Sequence, residues 1–138
     1  MNKFLSTPHA GWTNILIGDE SLPASYLTSV PFDCLDNMIY AIQNSSDFTV
    51  SFDAEGYMYK ILSDDYRTYL LIEKDIIPDV KVFDNITKFD IAKCLYNDIS
   101  KDIDLWVMWD MYEDDDEELI TENKKNLENG LEKLKSYF

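Results

Sequence analysis

FTVSFDAEGYMYKILSDDYRTYLLIE, residues 48–73, decides the fold. Phe48, Val50 and Phe52 alternate with Thr49, Ser51 and Asp53, the period of a strand that buries one face. Ala54-Glu55-Gly56 makes a turn and Tyr57–Leu62 a second strand. Ser63-Asp64-Asp65 makes another turn and Arg67–Glu73 a third strand. Short strands joined by tight turns form an antiparallel meander. Val80–Phe83 can add an edge strand after Pro78, guarded by Asp79 and Lys81.

Upstream, Pro31 favours a helix start, with Asp33 in the first turn. Leu35, Met38, Ile39 and Ile42 recur at helical spacing, so Phe32–Gln43 is predicted as an amphipathic helix. Before it, Trp12–Ile17 reads as a strand closed by Gly18-Asp19-Glu20 and a turn around Pro23. Ser25–Val30 is expected to return as its hairpin partner, and residues 1–10 read as a loose lead-in.

Downstream, Thr87 and Asp90 sit close to the spacing of a capping box. The i+4 series Ile91, Leu95, Ile99, Ile103 carries that helix to Trp106 or beyond. A last helix, Leu119–Tyr137, aligns Ile120, Leu127, Leu131, Leu134 and Phe138 on one stripe. The order is hairpin, helix, meander, helix, helix. The expected class is α+β: an antiparallel sheet, the N-terminal hairpin plus a three- to four-strand meander, covered by about three helices. At 138 residues, one domain spanning 1–138 is expected.

Composition bounds the chemistry. An apolar share of 46%, with three Trp, nine Tyr and seven Phe, supplies a core and argues against disorder. Twelve basic residues stand against 27 acidic ones, a net charge of −15. The count is three against nine in residues 1–69 and nine against eighteen in residues 70–138. Such a field repels nucleic acid and anionic membrane and draws in cations. Cys34 and Cys94 lie in apolar helical patterns with no CxxC, and read as buried free thiols. Met1–Phe4 carries one lysine, and Pro8, His9 and Gly11 interrupt any apolar run. No signal peptide is therefore read, and the expected compartment is the cytoplasm.

Catalytic patterns are missing. His9 is the single histidine, so it alone could serve a Ser–His or Cys–His pair. One histidine and two isolated cysteines do not make a tetrahedral zinc set. The four glycines fall in no phosphate-cradling loop, and the acidic run Glu113–Glu118 lacks the central glycine of an EF-hand. Carboxylate pairs are too numerous among 27 acids to single out an acid–base site. The expectation is no enzyme, no metal, no cofactor and no small-molecule substrate.

The charge is most concentrated at Asp110, Glu113, Asp114, Asp115, Asp116, Glu117 and Glu118, seven carboxylates in nine residues. Asp98 and Asp102 share a helix face just before it, and Asp104 is close by. Two or three acids suit the start of the last helix through its dipole, and seven exceed that need. Trp106 continues the apolar stripe into the core, whereas Trp109 and Tyr112 stand beside the carboxylates as candidate interface aromatics. The candidate partner-binding residues are Asp102, Trp109, Asp110, Tyr112, Glu113, Asp114, Asp115, Asp116, Glu117 and Glu118. An aromatic centre rimmed by carboxylates suits a partner rich in Lys and Arg.

The chain resembles bacterial immunity proteins, in particular those paired with polymorphic toxins in contact-dependent growth inhibition. GWTNILIGDESLPASYLTSVPFDCLDNMIYAI (residues 11–42), DFTVSFDAEGYMYKIL (residues 47–62) and DIDLWVMWDMYEDDDEE (residues 102–118) carry the likeness, over about half the chain. The resemblance implies an inhibitor that binds a cognate toxin and blocks its active site or substrate groove. Nuclease toxins are basic because they hold phosphate backbones, and an acidic inhibitor can place carboxylates where phosphates sit. The expected partner is therefore a basic protein toxin, a nuclease, with no nucleic acid and no membrane. Two other readings share some of these features: an acidic nucleic-acid mimic that binds basic DNA- or RNA-binding proteins, and an enzyme with a carboxylate site.

Overall fold

A computed structural model describes residues 1–112 and 115–138. Glu113 and Asp114 of the expected contact set lie outside the described residues. The meander is present as β3 (Phe48–Asp53), β4 (Met58–Ser63), β5 (Thr68–Glu73) and β6 (Asp79–Phe83), paired antiparallel in that order. The pairing sets Val50 opposite Ile61 and Ile61 opposite Leu70, so one face is a row of apolar side chains. Phe48, Phe52, Tyr59, Ile61 and Leu70 are all fully buried there, each contributing about 1.5–3 kcal/mol. Two polar side chains on this face, Ser63 and Thr68, satisfy each other at 2.7 Å. Thr68 in turn donates to the Ile86 carbonyl.

The helices follow the apolar stripes, with different ends. Helix α1 runs Val30–Gln43 and packs on β3. Helix α2, Lys88–Lys101, opens with the capping box formed by Thr87 and Asp90. The long helix expected through Trp106 breaks at Asp102, and a short α3, Ile103–Val107, follows. A carboxylate at a helix C-terminus opposes the dipole, and Asp102 spends its oxygen on the Thr7 hydroxyl at 2.9 Å instead. Helix α4, Glu117–Lys135, starts two residues earlier than the sequence suggested and packs against α1, α2 and α3.

The N-terminal third departs furthest from expectation. Strand β1 (Trp12–Ile17) pairs with β2 at Glu20–Ser25, not at Ser25–Val30, as a separate two-stranded sheet. The reason is local. Gly18 adopts a positive φ of 58°, so Gly18-Asp19 closes a two-residue turn. Pro23 then falls within β2, which pairs with β1 alone and tolerates a missing donor. A Cβ on Gly18 would lie 2.4 Å from the Phe83 ring, so the turn also packs tightly beneath β6.

Residues 1–10 are not a loose lead-in. Phe4 and Leu5 are buried, and Phe4, Leu5 and Ser6 run along β1 through backbone bonds. Their anchor is Asp98 on α2, whose Oδ2 accepts the N–H of Phe4 at 2.7 Å and of Leu5 at 2.9 Å. Asp98 and Asp102 share a helix face as expected, and that face grips the N-terminal segment. A further tie joins the layers: the Tyr59 hydroxyl donates to the Pro23 carbonyl of β2 at 2.9 Å.

Candidate protein-binding surface

The acidic run divides by function. Asp116 is the N-cap of α4, accepting the Glu118 N–H at 2.7 Å, and Glu117 and Glu118 occupy the first turn. These three stabilise the helix end through the cap and dipole. Asp115 closes the preceding turn by accepting the Tyr112 N–H at 2.7 Å. Asp110 is exposed. All five described acids stand at one end of the helical layer, where the chain passes from α3 to α4.

Asp110 borders a concavity of about 490 Å³, whereas Glu117 and Glu118 face a separate depression along α4. The walls of the concavity come from the Pro8–Gly11 turn, from Tyr26 just after β2, and from α3 and its exit, residues Leu105 to Tyr112. The turn is tight because His9 and Trp12 exchange backbone bonds of 2.8 and 3.0 Å. Gly11 takes a φ of 78° close against Tyr26. Tyr26, Leu105 and Tyr112 expose half or more of their surface, an apolar and aromatic mouth with Asp110 on its rim.

Trp109 is placed as the floor and not as a projecting anchor. It is buried, packs against Trp106 with ring centroids 5.4 Å apart and planes tilted by 39°, and donates its indole N–H to the Thr28 carbonyl at 2.9 Å. Trp106 is fully buried, in keeping with its reading as core. Asn123 on α4 donates to the Val107 carbonyl at 2.7 Å, and Lys124 pairs with Asp104 at 3.0 Å, fixing α3 on α4. Asp102 stands apart from the run, engaged with Thr7.

Of the ten residues expected to bind, Trp109, Asp110 and Tyr112 come together at the concavity, with Trp109 as its floor, whereas Asp115, Asp116, Glu117 and Glu118 lie at the start of α4. Sequence reasoning missed Tyr26, Leu27 and Leu105, all at least half exposed. SYLTSV read as a strand hid the first two, although an exposed Tyr-Leu pair after a hairpin was the available signal.

Neither cysteine offers a nucleophile. Burial pushes the Cys34 thiol well above its ordinary value and the Cys94 thiol up to about 11. His9 is exposed in the turn. Among the described residues no cluster of three or more His, Cys, Asp or Glu could hold a metal, and no helix is long and apolar enough to cross a membrane. Comparison with protein-family models, curated proteins and solved structures finds no match to this chain.

Proposed function

We propose that this protein is an immunity protein: it binds a cognate cationic toxin domain, a nuclease, and neutralises it through the acidic edge between α3 and α4. The observation that carries this reading is an aromatic concavity bordered by Asp110, on a chain of net charge −15 that carries four more carboxylates, Asp115 to Glu118, at the start of α4. Tyr26 and Tyr112 supply flat, stiff contact area for apolar or guanidinium groups, and the carboxylates supply charge-assisted acceptors for Lys and Arg. Asn123, Lys124 and the Trp109 indole hold α3 and its exit in place, so little order has to be created at the concavity on binding. The chain acts by occupying the toxin's phosphate-binding groove and not by catalysis.

Titration calorimetry against the toxin domain encoded beside this gene, at 50 and 500 mM salt, tests it. A one-to-one complex at least tenfold weaker at high salt is expected. Asp110→Asn, Asp115→Asn, Asp116→Asn, Glu117→Gln and Glu118→Gln together keep the helix cap, since Asn caps as well as Asp. They should weaken binding by about 100-fold or more at low salt. A complex indifferent to this change removes the acidic edge from the mechanism, and no complex at either salt ends the immunity reading.

A further inference from the structure

Among the described residues, the second face of the β3–β6 sheet adds no side chain to the core. Helix α1 packs on β3, and the core receives the side chains of the inner face. On the opposite face the register lines up Leu62, Tyr69 and Val82 in one row, and Lys60, Leu71 and Val80 in the next. None of the five apolar members joins the core: Val80 and Val82 on the edge strand are 57% and 48% exposed, and Leu62, Tyr69 and Leu71 are half-buried. Strand β5 is apolar on both faces over Tyr69-Leu70-Leu71-Ile72, the composition of a strand covered on both sides.

We propose that this outer face docks a second copy of the chain, sheet against sheet, as a two-fold dimer. Four strands about 4.8 Å apart and six residues long present roughly 400 Å² in projection. Two such faces pressed together remove on the order of 1,000 Å² of accessible surface, enough for a weak but specific dimer.

The face is also self-complementary in charge. A two-fold axis parallel to the strands and between β4 and β5 sets Leu62 against Tyr69 of the second copy. It brings Lys60, exposed in the middle row, beside Glu73 of the second copy, which sits one row further along β5. Each such contact occurs twice, as an isologous interface requires. Sheets stacked in this way lie about 10 Å apart, with strands within about 30° of alignment. The interface uses neither the concavity nor the carboxylates of the α3–α4 edge, so it stands or falls apart from the proposed toxin complex.

Sedimentation velocity of the purified protein, from about 10 to 500 µM in 50 and 500 mM NaCl, tests the dimer. A monomer–dimer equilibrium is expected that tightens at high salt, because two bodies of net charge −15 repel each other. Tyr69→Glu should raise the dissociation constant at least tenfold while leaving the far-ultraviolet circular dichroism unchanged. Lys60→Glu should weaken the dimer, and Lys60→Glu with Glu73→Lys should restore it. A monomer at 500 µM in both salts overturns the proposal, as does a dimer untouched by Tyr69→Glu or a charge swap that fails to rescue. Calorimetry with the toxin domain, run on Tyr69→Glu, keeps the two readings separate: a normal complex from a variant that no longer dimerises is expected.

Discussion

The groove beside the acidic run and the outer face of the sheet are both exposed, yet they are built on opposite principles. The groove is a shallow apolar mouth with charge at its rim, and its floor is welded to the core through Trp109 and Trp106. The sheet face carries Lys60 and Glu73 at its centre and margin, and its apolar side chains stay outside the core. A carboxylate rim attracts cations from a distance, and salt weakens that attraction. A flat apolar face gains its energy from removing water, and on a strongly acidic protein salt helps it by screening repulsion. The same molecule is thus expected to respond to ionic strength with opposite signs at its two surfaces.

Removing the core residue beneath the floor is the most drastic way to break this contrast. Trp106→Ala deletes a fully buried side chain and should cost about 3–5 kcal/mol in urea denaturation, with the groove lost along with it. A cost below about 1 kcal/mol would mean that the groove stands without the core beneath it.

Next in size is the anchor of the N-terminal wall. Asp98→Ala leaves two buried backbone donors, at Phe4 and Leu5, without their acceptor, at a cost of about 2–4 kcal/mol. Asp98→Asn keeps an acceptor oxygen and removes the charge. Burial holds the Asp98 carboxyl above its ordinary range despite those two N–H bonds. The native state therefore retains this proton to higher pH than the unfolded chain does. Its contribution is fully present below the unfolded value, about pH 4, and declines as pH rises through the folded one. The Asn variant lacks that decline, so its stability should improve relative to the parent from pH 4 upward. Parallel curves for parent and variant would show that the Asp98 charge carries no such penalty.

The smallest effect sharpens the comparison most. Tyr112 is 72% exposed and is not part of the core. Tyr112→Ala should change stability by less than about 0.5 kcal/mol, yet weaken the toxin complex by about 1–2 kcal/mol, roughly 5- to 30-fold. Equal calorimetric affinities for parent and variant would move the contact away from the groove mouth.

How much was legible depends on how far apart the interacting residues lie. The meander was readable because period-two alternation and the polar turns 54–56 and 63–65 act within a few residues. The hairpin was misplaced by about five residues because Pro23 reads as a turn, whereas the left-handed conformation of Gly18 sets the register. The stripe on α2 was right, but its end was not, since Thr7 lies 95 residues from the carboxylate it engages. The outer face was present in YLLI at residues 69–72, read only as a strand when its lack of a polar face was the informative feature.

The chain by itself determined the α+β class, the strands of the meander, the helical stripes, the buried thiols and the excess of negative charge. These depend on composition and on periods of two and 3.6 residues, which are local. Only the tertiary structure decided which carboxylates are structural and which are free to meet a partner. Asp98 and Asp102 hold the N-terminal segment, Asp116 caps α4, and Asp110 is left at a groove mouth. Only it, too, showed that the apolar side chains Leu62, Tyr69, Leu71, Val80 and Val82 on one face of the sheet stay outside the core. A carboxylate's role depends on which donor reaches it and a strand's exposure on what packs above it, and both partners come from distant parts of the chain.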